Sequence, residues 1–189
     1  DNGFGTKANS ADAMLMFHEV EVRWETGRVI VNKTTFLSDP NNKVPFPITD
    51  ETSEQRYLTG EDFDIESIQP VDDGYWFGDE FGPWLIKTNK LGVIESVVAT
   101  KIDNMSYISP DNAFIKLANP HETAPEINTK RSGGFEGMAI SKDGKTLYPL
   151  LEKPMVDAKT LKSETINGHP VLRILAFNNQ QQRWLDTIR

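Results

Sequence analysis

The sequence contains no cysteine, and only 3 of its 189 residues are histidines. Without cysteine there is neither a disulfide framework nor a thiol nucleophile. The histidines, His18, His121 and His169, are scattered, and no two have the spacing of a metal site. No apolar run approaches the roughly 20 residues that a transmembrane helix needs. At its start the sequence also lacks the basic and then apolar segments of a signal peptide.

Positive charge is in deficit. Lysine and arginine total 20 against 28 aspartates and glutamates, which gives a net charge of −8. Binding to nucleic acid depends on basic side chains that neutralise phosphates, and anionic membrane surfaces attract such side chains in the same way. The composition therefore argues against both partners, although the net charge does not exclude a local basic pocket.

Helical patterns are scarce. The segment 50–58 is the one predicted short helix, with Thr52 or Ser53 as its cap. The other periodic segments are short, apolar or alternating, and bounded by Gly, Pro, Asn or Asp, which is typical of strands. The predicted strands cover 13–24, 27–36, 65–71, 75–79, 83–88, 92–101, 135–141, 146–152, 171–178 and 183–188. The expected fold class is all-β.

An internal repeat narrows the choice among all-β folds. The segment 66–74 (ESIQPVDDG) aligns with 136–144 (EGMAISKDG), and three further strands follow each. Four short strands joined by tight turns and then repeated are typical of a β-propeller blade. The turn DEFGP at 79–83 also resembles DNGFG at 1–5. We predict a partial β-propeller of about three blades, each a four-stranded antiparallel sheet, with the first blade lacking its innermost strand.

The repeat spacing of roughly 70 residues exceeds the ~40–50 of common blades. Two long insertions, around 37–62 and 107–132, account for the difference. We expect one domain over 1–189 that is incomplete, because propellers have about 4–8 blades. The remaining blades are expected from further sequence or from a second chain.

Three segments carry a family resemblance: LTGEDFDIES at 58–67, GYWFGDEFGPWLIK at 74–87 and SGGFEGMAISKDGKTLYPLLEKP at 132–154. Together with the opening 1–17, they resemble the phytase-like family, described as having esterase-like activity of phytase. The resemblance implies a propeller fold, an extracellular or periplasmic location, and hydrolysis of phosphate esters or other esters. Serine-esterase chemistry has no support from the sequence, because no G-x-S-x-G motif occurs.

Acidic residues recur at equivalent places in the repeats. Glu66 and Glu136 begin the innermost strands, Asp79, Glu80 and Glu152 end the second strands, and Asp1 is the equivalent of Asp79 in the preceding blade. Converging carboxylates repel one another unless a cation lies between them, and oxygen ligands suit Ca²⁺. The predicted catalytic residues are Glu66, Asp79, Glu80 and Glu136. The predicted metal ligands are Asp1, Asp79, Glu80, Glu136 and Glu152.

Binding of a phosphate ester also requires positively charged side chains, and Arg131 and Lys153 are the predicted substrate-binding residues. Lys87 and Lys130 are interpreted as solvated surface charges. The spacing Asp62-x-Asp64-x-Glu66 resembles a metal loop but lacks the glycine and the terminal Glu of an EF-hand.

Two alternatives stay open: a lactonase-like or sugar-oxidising propeller, and a propeller whose acidic residues are structural. The acids could bind backbone amides and lock the blades together, with Gly133, Gly134 and Gly137 permitting close approach of strands. The protein would then be a non-catalytic propeller that binds a protein or a carbohydrate.

Overall fold

A computed structural model describes residues 10–103, 105–116 and 126–185. Over these residues the chain is all-β, as predicted, and contains no helix. Within the same ranges nothing helical has the length and hydrophobicity that crossing a membrane requires. The DNGFG turn with Asp1, and also His121, lie outside the described residues.

The first strands form an antiparallel hairpin, β1 (Met16–Arg23) and β2 (Arg28–Phe36). The hairpin is anchored at its base, where the Phe17 ring lies 4.6 Å from that of Tyr75. Beyond the base the hairpin is exposed on both faces. Side chains alternate across a strand, so the paired valines Val20–Val31 and Val22–Val29 share one face, and all four are exposed.

The first four-stranded sheet is an antiparallel meander. It consists of β3 (Ile65–Val71), β4 (Gly74–Asp79), β5 (Trp84–Asn89) and β6 (Ile94–Ala99), in that order. Both of its faces are buried: Phe77 and Ile86 pack against the insertion 37–63, and Trp76 and Leu85 pack toward the second sheet. Burial on both faces explains why β4 and β5 are almost continuously apolar.

The second half contains the short pair β7 (Lys101–Ile102) and β8 (Met105–Ser106) and a second four-stranded sheet. Its strands are β9 (Phe135–Ile140), β10 (Thr146–Leu151), β13 (Phe177–Asn178) and β14 (Arg183–Trp184), with the small hairpin β11 (Thr165–Ile166) and β12 (His169–Pro170) inserted before β13. The predicted strand 171–178 is regular only at its end, although the Leu175 amide still donates to the Pro149 carbonyl.

The two sheets lie side by side with β3 next to β9. The Gln69 side chain donates to the Met138 carbonyl at 2.7 Å, and the Trp184 indole donates to the Ala99 carbonyl at 2.8 Å. An apolar cluster that includes Trp76, Phe135 and Phe177 fills the space between the sheets. The predicted repeat of four-stranded meanders is therefore confirmed for these two sheets, and β1 and β2 are the described strands that precede them.

Two local predictions were wrong. The segment 50–58 is not helical, because the Asp50 carboxylate accepts hydrogen bonds from the amides of Ser53 and Tyr57 and holds a turn. Lys87 is not a solvated surface charge, since it is only 4% exposed and its ammonium contacts Asp73 at 2.8 Å and Glu95 at 3.3 Å.

Candidate functional site

The two repeated glutamates occupy β-bulges. In the first sheet Ile65 pairs with Asp79 and Ser67 with Gly78, which leaves Glu66 as the extra residue. In the second sheet Phe135 pairs with Leu151 and Gly137 with Leu150, which leaves Glu136 as the extra residue. A bulge redirects its side chain, and bulges are common beside active sites. The equivalence of Glu66 and Glu136 thus extends to backbone geometry.

A second equivalence lies one residue beyond β4 and β10. The Glu80 amide donates to the Asp64 carbonyl, and the Glu152 amide donates to the Gly134 carbonyl, each at 2.9 Å. Glu80 is thus the counterpart of Glu152, and Asp64 is the counterpart of Gly134. A Cβ on Gly134 would lie 2.5 Å from the Glu80 Cα, so only glycine lets the two repeats approach this closely.

Three carboxylates converge at this junction. One oxygen from each of Glu80, Glu136 and Glu152 lies within 4.8 Å of the other two. Glu80 is only 7% exposed, and Glu136 lies at the open side of the group. Oε2 of Glu152 is buried, and no described group makes a well-directed hydrogen bond to it. We call these three residues the carboxylate cluster.

The electrostatic potential around the carboxylate cluster is strongly negative. Burial, together with the adjacent Glu152, raises the pKa of Glu80 to about 8, and a protonated Glu80 donates a hydrogen bond to Glu152. Burial and the charges of Asp64 and Glu136 raise the pKa of Glu66. Burial also raises the pKa of Asp64, with Asp111 and Glu136 adding to the effect, and Asp64 accepts a hydrogen bond from Glu66. The carboxyl groups of five residues from the two repeats therefore interact electrostatically: Asp64, Glu66, Glu80, Glu136 and Glu152.

The cluster has the dimensions of a site for one hard cation. Ca²⁺ binds oxygens at about 2.3–2.6 Å, so two ligands on opposite sides of the ion are about 5 Å apart. The separation of up to 4.8 Å fits this geometry. The buried Glu80 and the weakly satisfied Oε2 of Glu152 are oxygens that a cation would neutralise.

Asp79 has a different environment from the other predicted acids. It is fully buried, and its carboxylate accepts hydrogen bonds from the amides of Asp64 at 2.8 Å and Gly82 at 2.7 Å. Burial is the main reason that its pKa is raised to about 7. Asp79 therefore holds the backbone that carries Asp64 and Glu80, and it is not one of the three residues of the carboxylate cluster.

The two predicted substrate-binding cations flank the cluster. The Lys153 ammonium lies 3.3 Å from Oε2 of Glu152 and donates to the carbonyls of Arg131 and Ser132 at 3.0 and 2.5 Å. The Arg131 guanidinium pairs with Asp111, and 38% of its side chain is exposed. The Arg131 guanidinium is thus held by Asp111 and is partly exposed, whereas the Lys153 ammonium is bound to neighbouring carbonyls.

Other features that the sequence singled out have clear environments. The Asp62 carboxylate accepts hydrogen bonds from the amides of Thr49 and Thr59, each at 2.7 Å, so it does not form a metal loop with Asp64. A Cβ on Gly133 would lie 2.3 Å from the Thr129 hydroxyl oxygen, which supports the predicted close approach there. For Gly137 that prediction was wrong, because a Cβ there would have no atom beyond its chain neighbours within 4 Å.

The sequence reasoning gave Asp64 no role of its own and missed Asp111. Asp64 could have been found from its place opposite the end of β4. Asp111 carries no such signal, because it lies in an insertion that the repeat does not contain.

Comparison with known proteins finds one family and one relative. The model of the phytase-like family, described as "Esterase-like activity of phytase", matches residues 1–188. A protein of Arthroderma benhamiae described as "Uncharacterized secreted protein" is 29% identical over 113 residues. That match covers 49% of this chain and 20% of the relative. No solved structure matches the chain.

Proposed function

Since this chain belongs to the phytase-like family with esterase-like activity of phytase, we propose that it is a secreted hydrolase of phosphate esters or other esters. The observation that carries the proposal is the convergence of Glu80, Glu136 and Glu152 within 4.8 Å. We propose that these three residues hold one divalent cation, with Ca²⁺ as the ion that an all-oxygen ligand set suits best. The location rests on the relative that is described as secreted.

Each residue around the cluster has a separate role in the proposed reaction. A bound divalent cation would polarise the ester oxygen and lower the pKa of a bound water. Glu66 lies next to the cluster and has a raised pKa; in its ionised form, without the proton that it donates to Asp64, it accepts the proton of the attacking water. Arg131 contacts the anionic part of the substrate at the rim, and Asp79 positions Glu80 through the backbone. Lys153 limits the charge of Glu152.

The propeller is part of the proposal. Support comes from two consecutive four-stranded meanders whose first strands are adjacent and whose equivalent glutamates lie in equivalent bulges. The β1–β2 hairpin would supply the outer strands of the preceding blade, and further sequence or a second chain would supply the rest. A crystal structure of a longer natural polypeptide should show the sheets arranged radially. Two sheets closed into a sandwich would contradict this part.

Calcium titration tests the metal site. Ca²⁺ at about 100 times its dissociation constant should stabilise the wild-type protein by about 2.7 kcal/mol, read as a rise in melting temperature. Glu136→Gln should abolish the shift, whereas Glu54→Gln, an exposed residue outside the site, should keep it. Activity on a chromogenic phosphate ester should fall at least 100-fold in Glu136→Gln while its far-ultraviolet circular dichroism is unchanged.

The outcome that contradicts the proposal is equally specific. No calcium shift in the wild-type protein, no ester hydrolysis with or without calcium, and a loss of stability in Glu136→Gln would together favour a non-catalytic binding protein. In that case the acids would serve the contact between sheets.

A further inference from the structure

A cleft of about 280 Å³ opens beside the carboxylate cluster, between the segment before β1 and the beginning of β3. Its walls include Met14, Met16, Phe63, Ile65 and Phe81. Asp64 is one of the lining residues, and its carboxyl group also interacts with Glu66 and with Glu136 of the cluster. A ligand in the cleft would therefore lie close to the cluster.

Most of the residues that line the cleft are of apolar types, although backbone and side-chain polar atoms also reach its surface. Among the described residues that line the cleft, Asp64 is the one ionisable side chain and none is basic. A multiply phosphorylated organic group would find no basic side chain among these residues, whereas a hydrocarbon group would gain apolar contacts. The two methionines at the mouth, 46% and 49% exposed, are flexible enough to adapt to ligands of different shape. The volume also exceeds the about 150 Å³ of a cavity that accepts benzene.

We infer that the site acts on esters of hydrophobic alcohols, with the alkyl or aryl group in this cleft and the ester group at the carboxylate cluster. This inference rests on the proposed hydrolase function. It specifies the substrate class as monoesters with an apolar alcohol, and it excludes polyphosphorylated polyols as preferred substrates.

A series of alkyl phosphates from ethyl to hexyl tests the inference. These alcohols have nearly equal leaving-group pKa values, so kcat/KM reports binding of the chain. Each buried methylene should raise kcat/KM about fourfold until the cleft is filled. Met16→Ser should reduce this gain per methylene by at least half. Met105→Ser, a change of another exposed methionine outside the cleft, should leave the whole series unchanged.

The outcomes separate the two proposals. Hydrolysis with equal kcat/KM along the series, or with a preference for polyphosphorylated polyols, overturns the inference but keeps the hydrolase. A Met105→Ser variant that loses the chain-length dependence as strongly as Met16→Ser also overturns it. No hydrolysis of any ester, with or without calcium, overturns the proposed function and the inference together.

Discussion

Replacing Glu80 by glutamine should change how the stability of the protein depends on pH. The side chain is 7% exposed and faces Glu152, and burial followed by this neighbour raises the pKa of Glu80 to about 8 from 4.5. Below pH 4.5 the carboxyl is protonated in both the folded and the unfolded chain. Between pH 4.5 and about 8 the folded protein retains a proton that the unfolded chain has released, so the free energy of unfolding falls as pH rises.

The size of this effect follows from the linkage relation. One retained proton changes the free energy of unfolding by about 1.4 kcal/mol per pH unit. Between pH 5 and pH 7 the loss is therefore about 3 kcal/mol, or roughly 10 °C in the melting temperature of a chain of this size. Glutamine has the same shape and does not titrate, so Glu80→Gln should lose about 3 kcal/mol less than the wild-type protein over this interval.

Urea unfolding at several pH values, in the presence of a chelator, measures this difference directly. Asp79, with its pKa of about 7, adds a pH dependence of the same sign to both proteins and cancels in the comparison. Glu54→Gln serves as the control and should follow the wild-type curve. Parallel curves for the wild-type protein and Glu80→Gln would refute the account of Glu80 as a buried carboxyl held against another carboxyl.

Two further substitutions test the framework around the cluster. Gly134→Ala should destabilise the protein by about 2 kcal/mol in urea unfolding, because its Cβ would lie 2.5 Å from the Glu80 backbone, whereas Gly137→Ala has free space and should stay within about 0.5 kcal/mol. Equal effects would refute the close approach of the two repeats. Asp79→Ala leaves the buried Gly82 amide and the partly buried Asp64 amide without acceptors and should cost about 2–5 kcal/mol. A change below about 1 kcal/mol would mean that Asp79 does not hold this backbone.

Much of the fold could be predicted from the sequence because strand patterns and turns are local. The strands around Trp76 and Leu85 are apolar on both faces and are bounded by glycine, aspartate or asparagine, so their limits were predicted to within a few residues. The helix predicted over 50–58 was wrong because its pattern competes with hydrogen bonds that the Asp50 carboxylate accepts from backbone amides, and these stabilise a turn. The prediction that Lys87 is exposed was wrong because its burial depends on ion pairs with Asp73 and Glu95. The proximity of these two residues to Lys87 follows from the register of the sheet.

The candidate site could be predicted only in part, because the repeat specifies equivalent positions but not how each is used. Glu66 and Glu136 lie in equivalent bulges, yet Glu136 joins the cluster whereas Glu66 interacts with Asp64. The asymmetry originates at one position. Where the first repeat has Asp64, the second has Gly134, which packs against the Glu80 backbone. A side chain at position 134 would push the two sheets apart. Glycine at this position, in place of a second aspartate, therefore allows Glu80 and Glu152 to meet.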